Sequence, residues 1–149
     1  MLETLGKFFR YDEWAIGQSL GSLENLRDSK AIELLSHILL VEKIWLTRLN
    51  GEDSSHIHKD GQLSSIECLE MAAELHRSYL EFLDSLVAED LDNPVTYKNT
   101  KGVEFQTSVK DILLHVAMHG VYHRGQIALL VREAGGQAVN TDYITFTRL

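Results

Sequence analysis

LLHVAMHGVYHRGQIALL, residues 113–130, carries three histidines at four-residue spacing: His115, His119 and His123. On an α-helix, four residues advance about 6 Å and turn about 40° past one full rotation, so the three imidazoles climb one side in a shallow spiral. The apolar stripe Val109, Ile112, Val116, Ile127, Leu130 marks the face expected to be buried. At about 100° per residue, His123 falls about 20° from the centre of that stripe, His119 about 60° off, and His115 about 100° off, at the rim. Two histidines four apart on a core-facing helix can grip one metal ion. Imidazole nitrogen suits zinc, nickel, copper and iron. A single histidine in a core stripe is usually a hydrogen-bonded structural residue, and spacing alone leaves that alternative standing.

The rest of the chain reads as helices. The first is expected from Leu2 to Asn25, with Leu5, Phe8, Phe9, Trp14, Ile16, Leu20 and Leu23 available for burial. The second starts near Asp28 or Ser29 and stops at Asn50-Gly51, where glycine suits the left-handed position after a helix. Its stripe reads Leu34, His37, Val41, Ile44, so an imidazole again replaces an aliphatic residue. Residues 51–63 form a polar loop in which His56 and His58 are expected to be solvated. Ser64 followed by Glu67 is a capping-box signature. It opens a third helix to Val87 with stripe Leu69, Ala73, His76, Leu80, Leu83. His76 is either a satisfied core or rim histidine or an additional ligand.

Between Asp90 and Thr107 the pattern becomes alternating. Val95-Thr96-Tyr97 and Val103-Glu104-Phe105 flank Asn99-Thr100-Lys101-Gly102, which reads as a short β-hairpin or an extended crossover. The last helix is expected from Thr107 or Ser108 to Gly135-Gly136, followed by a tail whose Tyr143-Ile144-Thr145-Phe146 is apolar enough to pack. The fold expected is all-α: one four-helix-bundle domain over residues 1–149, with a long crossover, or short hairpin, before the last helix.

Composition narrows the function. The chain has 149 residues, enough for one core, and a net charge of −8. Its fourteen basic residues form no run, which argues against nucleic acid and against an anionic membrane surface. Cys68 is the lone cysteine, so no internal disulfide forms. Neither a secretory leader nor a membrane-spanning run is evident, so a cytoplasmic protein is expected.

His37, His119 and His123 sit on two helices that can face each other in a bundle. Three imidazoles plus water would make an open metal site. A di-iron bundle is excluded, because no histidine on a helix has Glu three residues before it. The HExxH protease motif is absent too, since the helix reads HGVYH. No serine, cysteine or lysine stands out as a nucleophile, so the catalytic residues stay unknown.

The segments HVAMHGVYHRGQI (115–127) and HILLVEKIWLTRL (37–49), with the aromatic first helix around Tyr11 and Trp14 and the VTYKNTKG crossover, resemble the DinB (YfiT-like) family of metal-dependent bundle proteins. The resemblance covers nearly the whole chain. It implies a four-helix bundle, often dimeric, with one divalent ion, typically nickel or zinc, at the histidines matching His37, His119 and His123. Manganese and iron are the other ions considered. Some members are thiol S-transferases that use bacillithiol or mycothiol, and a related one isomerises maleylpyruvate, so a small-molecule substrate and a low-molecular-weight thiol are the expected partners. His115, Gln126 and His76 are then second-sphere or pocket residues, and Arg124 a structural residue pairing with a carboxylate or at a dimer contact. Leu40 and Leu46 add apolar surface beyond the stripe of the second helix, in keeping with a homodimer. Two functions compete: a metal-dependent thiol transferase or hydrolase, and a stress-response or structural module whose metal does no chemistry.

Overall fold

The computed structural model describes residues 1–23 and 29–149. Its elements are α1 (Leu2–Leu23), α2 (Ser29–Leu49), α3 (Ser65–Asp84), β1 (Pro94–Lys98), β2 (Glu104–Ser108), α4 (Val109–Glu133) and a short α5 (Tyr143–Phe146). The expected end of the first helix at Asn25 and the cap at Asp28 lie outside the described residues. Among those residues, no helix is long and apolar enough to cross a membrane.

Local signals place most helix ends. Ser64 Oγ accepts from the Glu67 amide at 3.2 Å, and the Ser64 amide donates to Glu67 Oε2 at 2.8 Å, which completes the capping box. Ser108, rather than Thr107, caps α4 by accepting from the Asp111 amide at 3.1 Å. Gly51 and Gly135 follow their helices at φ +74° and +78°, a backbone that glycine adopts without a Cβ clash. The third helix stops at Asp84, short of the expected Val87. Asp90 accepts from the Val87 amide at 2.9 Å and starts a 3₁₀ turn over Ala88–Asp92 instead.

The crossover is a true hairpin. β1 and β2 pair antiparallel with Thr96 opposite Gln106 and Tyr97 opposite Phe105. Asn99 Oδ1 accepts from the amides of Lys101 and Val103, and Gly102 takes φ +78° to close the turn.

The four long helices form a ring in the order α1, α3, α2, α4, with α1 and α2 on one diagonal. The core holds Leu5, Phe9, Ile16, Leu35, Ile38, Leu39, Tyr79, Leu113, Val116, Ile127 and Val131. The tail packs as the sequence implied. Tyr143 lies 5.2 Å from the Tyr11 ring, and Tyr11 Oη donates to the Thr141 carbonyl at 2.7 Å.

Three helix faces differ from the sequence reading. α3 buries Cys68, Ala72, Leu75, Tyr79 and Leu83, one residue out of step with the expected stripe, and leaves Leu69 59% exposed. Both sets repeat at helical spacing. Tyr79 decides between them: it stacks on Phe9 at 4.3 Å and donates to the Glu42 carbonyl at 2.7 Å. α2 turns Ala31, Leu35, Ile38 and Leu39 inward, which leaves His37 on its flank. Leu40 and Leu46 are buried within this chain and so supply no outer apolar surface. On α4, Gly120 and Arg124 join Val109, Ile112, Val116 and Ile127 inside. Including them moves the centre of the buried face, so His123 lies about 50° from it, His119 about 90° and His115 about 130°.

The corrected face of α3 gives a direct test. Leu75→Ala should cost about 2–5 kcal/mol of unfolding free energy, and Leu69→Ala no more than about 0.5 kcal/mol. Equal losses in urea titrations of the two variants would return α3 to the expected stripe.

Candidate metal centre

The flank of α2 that carries His37 meets the flank of α4 that carries His119 and His123. Ring centroids lie 5.2 Å apart for His37 and His119, 4.9 Å for His37 and His123, and 4.5 Å for His119 and His123. One ring nitrogen from each falls within 4.8 Å of the others. Among the described residues no fourth His, Cys, Asp or Glu joins this group. All three rings are half-buried.

Two of the rings are held from behind. The Lys59 carbonyl accepts from His37 Nδ1 at 3.0 Å, with Asp60 Oδ1 at 3.8 Å from the same nitrogen. Gln126 Oε1 accepts from His123 Nδ1 at 2.6 Å. With Nδ1 donating in both, each Nε2 carries the free lone pair. Backing of this kind fixes the tautomer and orientation of metal-binding histidines. Gln126 thereby orients His123, one of the candidate ligands. His119 has no hydrogen-bond partner among the described residues. Burial, and then the positive charge that His123, His37 and His115 would carry beside it, lower its pKa to about 4. At neutral pH its lone pair is free.

The donor set fits a divalent ion of borderline softness: three neutral nitrogens, with no thiolate and no carboxylate. It matches the three-protein-ligand pattern of open sites rather than the closed four of structural zinc.

The other sequence candidates fall elsewhere. His115 is exposed, edge-on to Trp45 at 5.4 Å and 5.7 Å from the His119 ring, one turn outside the trio. His76 is a satisfied rim histidine, between Glu13 Oε2 at 3.0 Å and the Phe9 carbonyl at 3.3 Å. His56 and His58 are exposed in the loop after α2, as expected. The backbone of that loop nevertheless reaches the site through Lys59. A cleft of about 880 Å³ opens beside it, lined by Ile44, Arg48, Lys59, Asp60, Tyr97 and Lys98 among others. The Arg48 guanidinium lies 4.6 Å from the Trp45 ring and 4.8 Å from that of Tyr97.

Sequence reasoning missed two acids in the interior of the bundle. Asp12 and Glu42 are both buried, and Arg124 pairs with Asp12. The signal was present: acids interrupt each apolar run, Asp12 and Glu13 in FFRYDEWAI and Glu42 in LLVEKIWL.

The family model of the DinB family matches residues 1–149. Protein DinB of Bacillus subtilis (strain 168) is 28% identical over a 156-residue alignment that covers 92% of this chain and 90% of that protein. The crystal structure of a DinB-like protein from Bacillus cereus ATCC 10987 superposes with a TM-score of 0.63 at 15% identity, over 93% of each chain. At that identity the structural likeness speaks for the fold alone.

The low pKa of His119 has a measurable sign. Between about pH 4 and pH 6.5 the unfolded chain holds a proton on His119 that the folded chain does not. Stability of the metal-free protein should therefore fall as pH drops through that window and be unaffected by this group above it. Histidine NMR titration in chelator should give His119 a midpoint near 4, moving up when His37 and His123 are replaced by Gln. A wild-type midpoint near 6.5 would contradict the crowding of the three rings.

Proposed function

The chain belongs to the DinB family, and from that premise we propose that it holds one divalent metal ion through His37, His119 and His123 and serves as a metal-dependent enzyme on a small molecule. The observation that carries this reading is the convergence of three imidazoles with no fourth protein donor. Such a set leaves coordination positions for water or substrate. A bound divalent ion there would act as a Lewis acid and lower the pKa of a water or thiol that reaches it. That chemistry is common to a thiol S-transferase and a hydrolase, the two reactions we favour. A low-molecular-weight thiol is the cosubstrate in the first case. Nickel and zinc are the preferred ions, with manganese and iron behind them.

The chain's own residues do the positioning. Lys59 and Gln126 hold His37 and His123, and the low pKa of His119 keeps it unprotonated. Lys59 and Asp60, which lie behind His37, also line the cleft that we assign to a small molecule.

A non-catalytic module is the second reading. It is favoured by the lack of a nucleophile at the trio: Cys68 is buried elsewhere, 3.8 Å from Ser36 Oγ. We place the protein in the cytoplasm as a homodimer. Met118, Val121, Tyr122 and Leu129 expose one apolar face of α4 that a second copy would cover.

Elemental analysis of untagged protein, prepared without chelator, should find close to one equivalent of metal per chain. His119→Ala and His123→Ala should each weaken binding about 100-fold or more, and His56→Ala and His58→Ala should change nothing. Added thiol should shift the visible spectrum of the cobalt-loaded protein. Persistent absence of metal after reconstitution would remove the site, and a cobalt spectrum indifferent to thiol would favour the non-catalytic module.

A further inference from the structure

On the core side of the same helices lies a second polar group that the metal site does not use. Arg124 of α4 contacts Asp12 of α1, and the two side chains are 2% and 8% exposed. Glu42 of α2 is buried too, close enough to Asp12 for the charge of Asp12 to raise its pKa. The guanidinium carbon of Arg124 stands 5.3 Å from the Tyr11 ring. Glu42 Oε1 and Arg124 Nε and Nη2 meet no partner among the described residues. Gly120 makes the close approach possible: a Cβ there would come within 2.7 Å of Asp12 Oδ1 and 2.8 Å of Arg124 Nη1.

Stability is a poor account of this cluster. Removing three ionisable groups from water costs more than their mutual attraction commonly returns, and apolar replacements of similar volume are often as stable or more so. What such a group supplies is direction. Hydrogen bonds and ion pairs fix the rotation of a helix, which apolar packing leaves looser. Two members adjoin the imidazoles in sequence, Arg124 after His123 and Gly120 after His119, and Glu42 stands on the helix of His37. The cluster therefore ties together the backbone segments that carry all three candidate ligands.

We infer that Asp12, Glu42 and Arg124, closed over Gly120, are a positioning device that sets the rotation of α4 against α2 and hence the span between His37 and the pair His119 and His123. The inference rests on the metal reading above and deepens it. None of these residues is a ligand. They act through where the ligands are placed.

The test compares the full-length wild type with Arg124→Met, Gly120→Ala and the triple variant Asp12→Leu/Glu42→Leu/Arg124→Met. Thermal denaturation and cobalt(II) titration are read for each. Arg124→Met leaves Asp12 buried and unpaired and should lower the melting temperature. The triple variant has no buried charge left and should melt at or above Arg124→Met. It should nevertheless bind cobalt about tenfold or more weakly, with shifted visible bands, because its helices have lost the directional link. Gly120→Ala, a change that normally favours a helix, should weaken cobalt binding in the same way. If the triple variant does not fold, Gly120→Ala decides by the same two readouts. Wild-type cobalt affinity and an unchanged spectrum in the folded variants would overturn the positioning role while leaving the metal site intact. A wild type that binds no cobalt would sink the metal reading and this inference with it.

Discussion

A guanidinium held inside a helical bundle dictates how α4 is turned. Arg124 is charged and almost wholly out of water, so Asp12 has to meet it, and α4 cannot rotate without breaking that contact. Successive residues on a helix point about 100° apart. With Arg124 inward, His123 is carried to the flank facing α2, and His119 follows one turn earlier. The dipeptide His123-Arg124 thus joins the anchor of the core to the edge of the site. Glu42 adapts to the same constraint: burial, and then the charge of Asp12, raise its pKa well above the usual carboxylate range, which favours its neutral form.

The flank has its own constraint. Three half-buried imidazoles lie close together, and a proton on any one of them disfavours a proton on the next. For His119, the most crowded of the three, this leaves the lone pair free at neutral pH. Lys59 and Gln126 settle which nitrogen keeps its lone pair free on His37 and His123. A structural histidine spends its nitrogens on protein partners, as His76 does between Glu13 and Phe9. His119 spends none. His37 and His123 each spend one and keep the other free.

Local chemistry was legible in the sequence. The Ser64–Glu67 capping box, the Ser108 cap, the glycines after α2 and α4 and the hairpin turn at Asn99–Gly102 are determined within a few residues, and the structure has all of them. The HxxxH spacing is local too, so two candidate ligands could be placed on one side of one helix. Faces were less legible. The buried side of α3 is chosen by Tyr79, whose partners Phe9 and Glu42 are distant in sequence. The core side of α4 includes Arg124, which no apolar pattern marks as buried. The hold on His37 comes from the backbone of a loop whose side chains read as solvated, and a carbonyl leaves no mark on residue identity. Acids interrupting apolar runs were the available sign of the interior cluster, yet only the fold shows that Asp12 and Glu42 lie together.

The account thus makes one helix do two jobs: its inner face anchors the bundle and its flank offers nitrogen donors to an ion shared with α2. Family membership fixes the fold and leaves the reaction to be argued from the site. The most direct measurement is X-ray absorption at the metal edge of the zinc-loaded chain. We expect three imidazole nitrogens per ion at about 2.0–2.1 Å, with the remaining coordination from light atoms that are not histidine. A sulfur scatterer, a fourth imidazole or a shell with no imidazole multiple scattering would contradict the three-histidine open centre.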